Sequence, residues 1–184
     1  DYREVNLDSL QMGRPRTVGA EHITLEAMRF LGLAEKFTEL GFNGPQAAAA
    51  IGTIIGRCCL PGSELATHTW LQEQSGLGDL LDYEFSNLSL FGMYRISDQL
   101  LKNKAAIEQH VYARERSLFG LQETITLYDL TNTYFEGEGK ANAHAARGHS
   151  KEKRTDCPLV TLGLVLDSSG FPRRSQVYEG NVSE

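Results

Sequence analysis

Cysteine is scarce. Only Cys58, Cys59 and Cys157 occur in 184 residues, the first two adjacent, and there is no C-x-x-C. A disulfide framework and the usual zinc spacings are thereby excluded, and a reducing cytoplasm is the expected compartment. Long apolar runs are missing too. The longest uncharged run, Leu40 to Gly56, is broken by Asn43, Pro45 and Gln46, short of the roughly 18–20 apolar residues of a membrane span. No signal-peptide pattern opens the sequence, and no membrane partner is expected. Positive charge is not in excess: 18 Lys and Arg stand against 24 Asp and Glu, a net charge of -6. The composition as a whole is not that of a basic nucleic-acid binder. No G-x-S-x-G occurs, which removes support for an acyl-transfer hydrolase. Gly137-Glu138-Gly139-Lys140-Ala141 lacks the first glycine of a phosphate loop and carries Ala141 where Ser or Thr would hold magnesium. His144 and His149 have no Cys or acidic partner at ligand spacing, so phosphate contact or solvation is expected there rather than zinc.

What is present falls into two halves. Residues 1–20 are polar, carry Gly-Arg-Pro-Arg, and read as an irregular arm. From about Thr24 the apolar residues recur at helical steps: Leu25, Met28, Leu31 or Leu33, Phe37, Leu40. Gly41 and Asn43 stop that helix. Pro45 suits a first turn, and Ile51, Ile54 and Ile55 form the apolar face of the next helix, which Leu60-Pro61-Gly62 ends. Ser63 is an expected N-cap for a helix to about Gln74. In that helix Trp70, Leu71 and Ala66 or Thr67 share one side, and His68 is a partly buried residue rather than a ligand. Ser75-Gly76-Leu77-Gly78 reads as a loop. A long helical segment, about Leu88 to Leu118, follows. Its predicted buried stripe is Leu90, Tyr94, Leu101, Ile107, Val111 and Leu118. Its wet faces carry Arg95, Lys102, Lys104, Arg114, Glu115 and Arg116.

After Phe119-Gly120-Leu121 the periodicity drops to two. The expected division is therefore 1–120, mostly helical, and 121–184, built on strands. The expected class is α+β. Strands are predicted over 124–135, over the uncharged run Pro158–Leu166, and over Arg173–Tyr178, the last two joined as a hairpin by Asp167-Ser168-Ser169-Gly170. Some twenty residues separate the first two strands. A loop so long between paired strands tends to be functional. It is also basic: Lys140, Arg147, Lys151, Lys153 and Arg154 against Glu138 and Glu152 over residues 137–155, a local charge of +3.

In the first strand Ile125, Leu127 and Asp129 alternate onto one side. An acid in line with core-facing residues is costly unless it is paired. A local cap or ion pair is one reading; a ligand to a hard divalent cation is the other. Asp156 and Asp167 read as loop and turn residues.

Several stretches carry a family likeness. Leu127-Tyr128-Asp129-Leu130-Thr131-Asn132-Thr133-Tyr134-Phe135-Glu136-Gly137, Ala146-Arg147-Gly148-His149-Ser150-Lys151-Glu152-Lys153-Arg154, Asp156-Cys157-Pro158-Leu159-Val160, Gly170-Phe171-Pro172 and Tyr178-Glu179-Gly180-Asn181 come in this order. The first four resemble the first catalytic block of bacterial insertion-sequence transposases of the DDE type, and the last is similar to that family's segment just before the helix leading to its second catalytic strand. The resemblance runs from about residue 86 onward and is weaker before it. It implies an RNase H-like catalytic domain, here represented by its first three strands. It also implies an Asp-Asp-Glu triad with two Mg2+ or Mn2+ ions, with transposon ends and target DNA as partners of a homodimer in a synaptic complex. Asp129 matches the first carboxylate and metal ligand. Arg147, Lys151, Lys153 and Arg154 are the expected phosphate contacts. The second Asp and the Glu have no counterparts here, so these 184 residues are expected to be a piece of something longer, inactive alone. The alternative readings are a non-catalytic DNA-binding relic of such an element and an RNase H-like nuclease without transposition.

Overall fold

The computed structural model describes residues 6–9, 13, 15–121, 125–148 and 155–182, apart from the side chains of residues 7 and 125–129. The class is α+β: among the described residues there are seven α-helices and one three-stranded antiparallel sheet. None of these helices is long and apolar enough to cross a membrane. The chain divides into two compact units, Asp1–Asn103 and Lys104–Glu184. The change of periodicity near residue 120 thus falls inside the second unit, which begins one helix earlier.

The first unit is helical. It comprises α1 (Gly19–Phe30), α2 (Leu33–Glu39), α3 (Gly44–Cys59), α4 (Glu64–Glu73), α5 (Leu77–Leu81) and α6 (Leu90–Lys102). Helix α3 is the hub, packed by α1, α2, α4 and α6. Its start follows from local chemistry. The Asn43 side chain accepts from the Gln46 amide, Gln46 returns the bond to the Asn43 amide, and Pro45 occupies the first turn. Burial then runs almost all round α3, from Ala48 through Thr53 and on to Ile55 and Gly56. A helix apolar on every side belongs in the middle of a helical layer. Ser63 caps α4 as expected, and Thr67, Trp70 and Leu71 are its buried residues. His68 is half-buried with Nε2 2.6 Å from the Leu88 carbonyl.

Several expectations are corrected. The helix predicted from Thr24 to Leu40 is two helices, because Gly32 takes a left-handed conformation (φ 68°) between α1 and α2. The stretch after Ser75 is not wholly loop: Leu77, fully buried, opens the short helix α5. The long segment from Leu88 breaks at Asn103. On α6 the buried residues are Met93 and Ile96, whereas Tyr94 and Leu101 of the predicted stripe are exposed. The apolar residues of α6 lie on two sides, so periodicity alone did not choose between them. Residue 17 of the expected arm is held in place: it pairs with Ser75, the Thr17 amide donating to the Gln74 carbonyl and the Gly76 amide to the Thr17 carbonyl. Beneath it Glu21 is 1% exposed and accepts from the hydroxyls of Thr17 (2.7 Å) and Ser75 (3.2 Å). Those bonds offset the desolvation of a buried acid.

The second unit comprises α7 (Lys104–Phe119), β1 (Ile125–Tyr134), β2 (Leu159–Asp167) and β3 (Pro172–Glu179), with strand order β1-β2-β3. All three predicted strands are present, and β2, the uncharged run, is central. The hairpin turn follows from Asp167, whose Oδ1 accepts from the Ser169 and Phe171 amides at 2.8 and 3.0 Å. Gly170 supplies the positive φ of 86°.

Candidate functional site

Asp129 lies midway along β1, its backbone in register with Leu164 of β2. Its neighbour Leu130 sits opposite Gly163 and is buried. The orientation expected for the Asp129 carboxylate lies outside the described side chains. Strand β1 pairs with β2 on one edge; among the described residues its other edge has no strand beside it.

The basic segment begins where β1 ends. The Phe135 amide still donates to the Pro158 carbonyl (2.9 Å), and the chain then turns through Gly137 and Gly139, both at positive φ. The Asn142 side chain accepts from the His144 amide at 2.9 Å. Ala146 then returns to the sheet. Its amide and carbonyl exchange both hydrogen bonds with Leu159, at 3.0 and 2.9 Å, and the Gly180 amide donates to the His144 carbonyl at 3.1 Å. A long loop is thereby stapled to the start of β2 and the end of β3. An open cavity of about 690 Å³ forms beside it, lined among others by Glu136, Lys140, Arg147, Asp156, Cys157 and Pro158. Lys140 is paired with Glu138 at 2.5 Å, with both side chains largely in solvent; such a pair is worth little. Arg147 is exposed on this rim. Lys151, Lys153, Arg154 and His149, the remaining basic positions singled out in this loop, lie outside the described residues. Cys157 is buried, its Sγ 3.3 Å from Asp156 Oδ2, and all three cysteines are unbridged.

Asp129, the metal ligand that the family resemblance implies, has its backbone on β1. Among the described residues no three His, Cys, Asp or Glu side chains converge as a ligand set. Asp156 stands in the loop before β2, and Asp167 is consumed by its turn, as its sequence context indicated.

A second arrangement was not foreseen. Helix α7 lies along β3, and contacts repeat down its length. Lys104 Nζ donates to the Ser175 carbonyl, and Glu108 accepts from the Ser175 amide at 3.2 Å. Arg173 lies over the Tyr112 ring at 4.4 Å, and Phe119 stacks on Phe171 at 5.1 Å. Glu115 falls in this same row. Its Oε2 is buried with no hydrogen-bond partner, as is Asp167 Oδ2. Lys104 and Glu115, assigned to wet faces from the sequence, are therefore docking residues. Burial, and secondarily the Asp167 charge, push the Glu115 carboxyl above the usual range.

A folded-state acid with a raised pKa binds more protons than it does unfolded, so this contribution to stability is greatest below the ordinary Glu value of about 4.3. It is lost as pH rises through the folded value. Glu115→Gln removes the ionisable group and offers an amide donor near Asp167. It is expected to stabilise the second unit at pH 7.5 by about 1 kcal/mol and to flatten that part of the pH profile. Urea titrations followed by far-UV circular dichroism at pH 4.5 and 7.5 check this; an equal loss at both pH values would refute it.

Compared with protein-family models, curated proteins and solved structures, the chain matches none.

Proposed function

We propose that these residues are the N-terminal part of a DDE-type transposase: a helical region followed by the opening strands of an RNase H-like catalytic domain. The observation that carries the reading is the position of Asp129. It lies in the middle of a first strand that is antiparallel to a central apolar strand, with a hairpin strand beyond. The edge of β1 that has no strand beside it among the described residues is where such a sheet would be extended. In the catalytic form Asp129 is the first carboxylate ligand, and a rigid strand suits that task because metal chemistry tolerates little ligand movement. Two divalent ions, when bound, would supply activation of the attacking oxygen and stabilisation of the leaving one. The exposed Arg147, together with Lys151, Lys153 and Arg154, would contact DNA phosphates. These contacts orient the duplex without reading its sequence.

The test is strand transfer by the protein encoded by the whole reading frame containing these residues, with Mg2+ and DNA bearing the flanking inverted repeats. Asp129→Ala should reduce joined product to background while DNA binding persists. The 184 residues alone should bind DNA but not join it. Full activity of Asp129→Ala would overturn the proposal. A whole frame that binds the ends without joining them would favour a regulatory relic instead.

A further inference from the structure

Two glycines meet where the basic loop crosses the sheet. A Cβ on Gly148 would stand 2.1 Å from the Gly180 carbonyl oxygen. A Cβ on Gly180 would stand 2.1 Å from the Leu159 carbonyl oxygen and 2.5 Å from that of Ala146. These are backbone atoms, and two of the three belong to a hydrogen-bonded pair. They cannot swing aside as the end of a flexible side chain would. Neither glycine is at positive φ, so what excludes a side chain is close approach of main chains and not backbone conformation. Arg147 lies between Ala146, paired with Leu159, and Gly148, pressed on Gly180.

We propose that Gly148 and Gly180 are positioning residues: their backbone contact clasps the root of the basic loop and sets Arg147 on the rim of the cavity as a preformed phosphate contact. The inference rests on the DNA-binding reading above and adds to it the device that orients one cation. Each phosphate contact contributes about -0.9 to the slope of log affinity against log salt. A cation held in place stands opposite its phosphate; one on a released strand no longer does, and that contact drops out of the slope.

The experiment measures that slope on a duplex of about 20 base pairs, a generic test length, for the 184-residue chain and its variants. Arg147→Ala should reduce the slope by about 0.9. Gly148→Ala, which removes no charge, should reduce it by a similar amount, and the double variant should lose no more than either single. Gly180→Ala should behave as Gly148→Ala does. Hydrogen exchange at the Ala146 and Leu159 amides should speed up in both glycine variants. A wild-type slope in Gly148→Ala, with those amides deprotected, would overturn the clasp and leave DNA binding by the loop intact. No salt-dependent binding by the unaltered chain would overturn both. Should the glycine variants fail to fold, exchange in the unaltered chain decides: Ala146 exchanging as fast as an unstructured amide would overturn the clasp, and protection matching the β2–β3 ladder would support it.

Discussion

Phe37→Ala is expected to cost the first unit about 3–5 kcal/mol, a large share of the ~5–15 kcal/mol that a domain has to lose. Phe37 is fully buried, its ring 5.3 Å from that of Phe42. Its helix, α2, has seven residues, too few to persist in water without docking. Leu33 and Phe37 are the only buried side chains that α2 offers. Removing the ring leaves a cavity between α2 and the helices it packs on, α1 and α3, which so short a helix cannot close without undocking. The chain has a single tryptophan, Trp70, buried in this same unit, so urea unfolding followed by its fluorescence reads the unit directly. Phe91→Ala is the matched control. Phe91 is 75% exposed, and its loss should stay within about 0.5 kcal/mol. Equal losses in the two variants would contradict the burial described for Phe37.

Gly56→Ala should also destabilise the first unit, although alanine is the better helix former by about 1 kcal/mol. The added Cβ would stand 2.4 Å from Thr67 Cγ2. Thr67 is 2% exposed and β-branched, so it has little room to turn. Overpacking of this kind costs about 1–3 kcal/mol and more where nothing yields. A net loss of about 1–2 kcal/mol is expected. The sharper test is the pair. Thr67→Ala deletes the clashing methyl and with it a buried hydroxyl that has no hydrogen-bond partner. In that background Gly56→Ala should become neutral or stabilising. A double-mutant cycle should therefore give a favourable coupling of about 1 kcal/mol or more. Strict additivity would mean that α3 and α4 do not meet at these two residues.

These two sites show how differently sequence and structure speak. The alternation of β1, the uncharged run of β2 and the Asp167–Gly170 turn are local patterns, and each strand formed where its pattern lay. The Asn43–Gln46 capping box and the Ser63 cap are local as well. Contacts made at a distance behaved otherwise. Gly56 and Thr67 are eleven positions apart in sequence, and nothing in either residue names the other. On α6, Leu90, Tyr94 and Leu101 satisfy a helical period as well as Met93 and Ile96 do. The positions of α3 and α4 decide which side is covered. Glu115 has the surroundings of a solvated charge in the sequence, between Arg114 and Arg116. It is drawn into the α7–β3 seam because Tyr112 and Phe119 on the same helical face find Arg173 and Phe171.

Local order was the sequence's own contribution. The period-two segments, the caps, the turn and the placing of one acid on the opening strand all follow from interactions between residues a few positions apart, and these act whatever the rest of the chain does. Tertiary structure alone decided which faces are buried, where a side chain is forbidden and which charges lose their water. Those outcomes depend on surfaces brought together from distant segments. Gly148 and Gly180 are the clearest case: 32 positions apart in the sequence, each bare of a side chain because the other's backbone, or a strand beneath it, already fills the space.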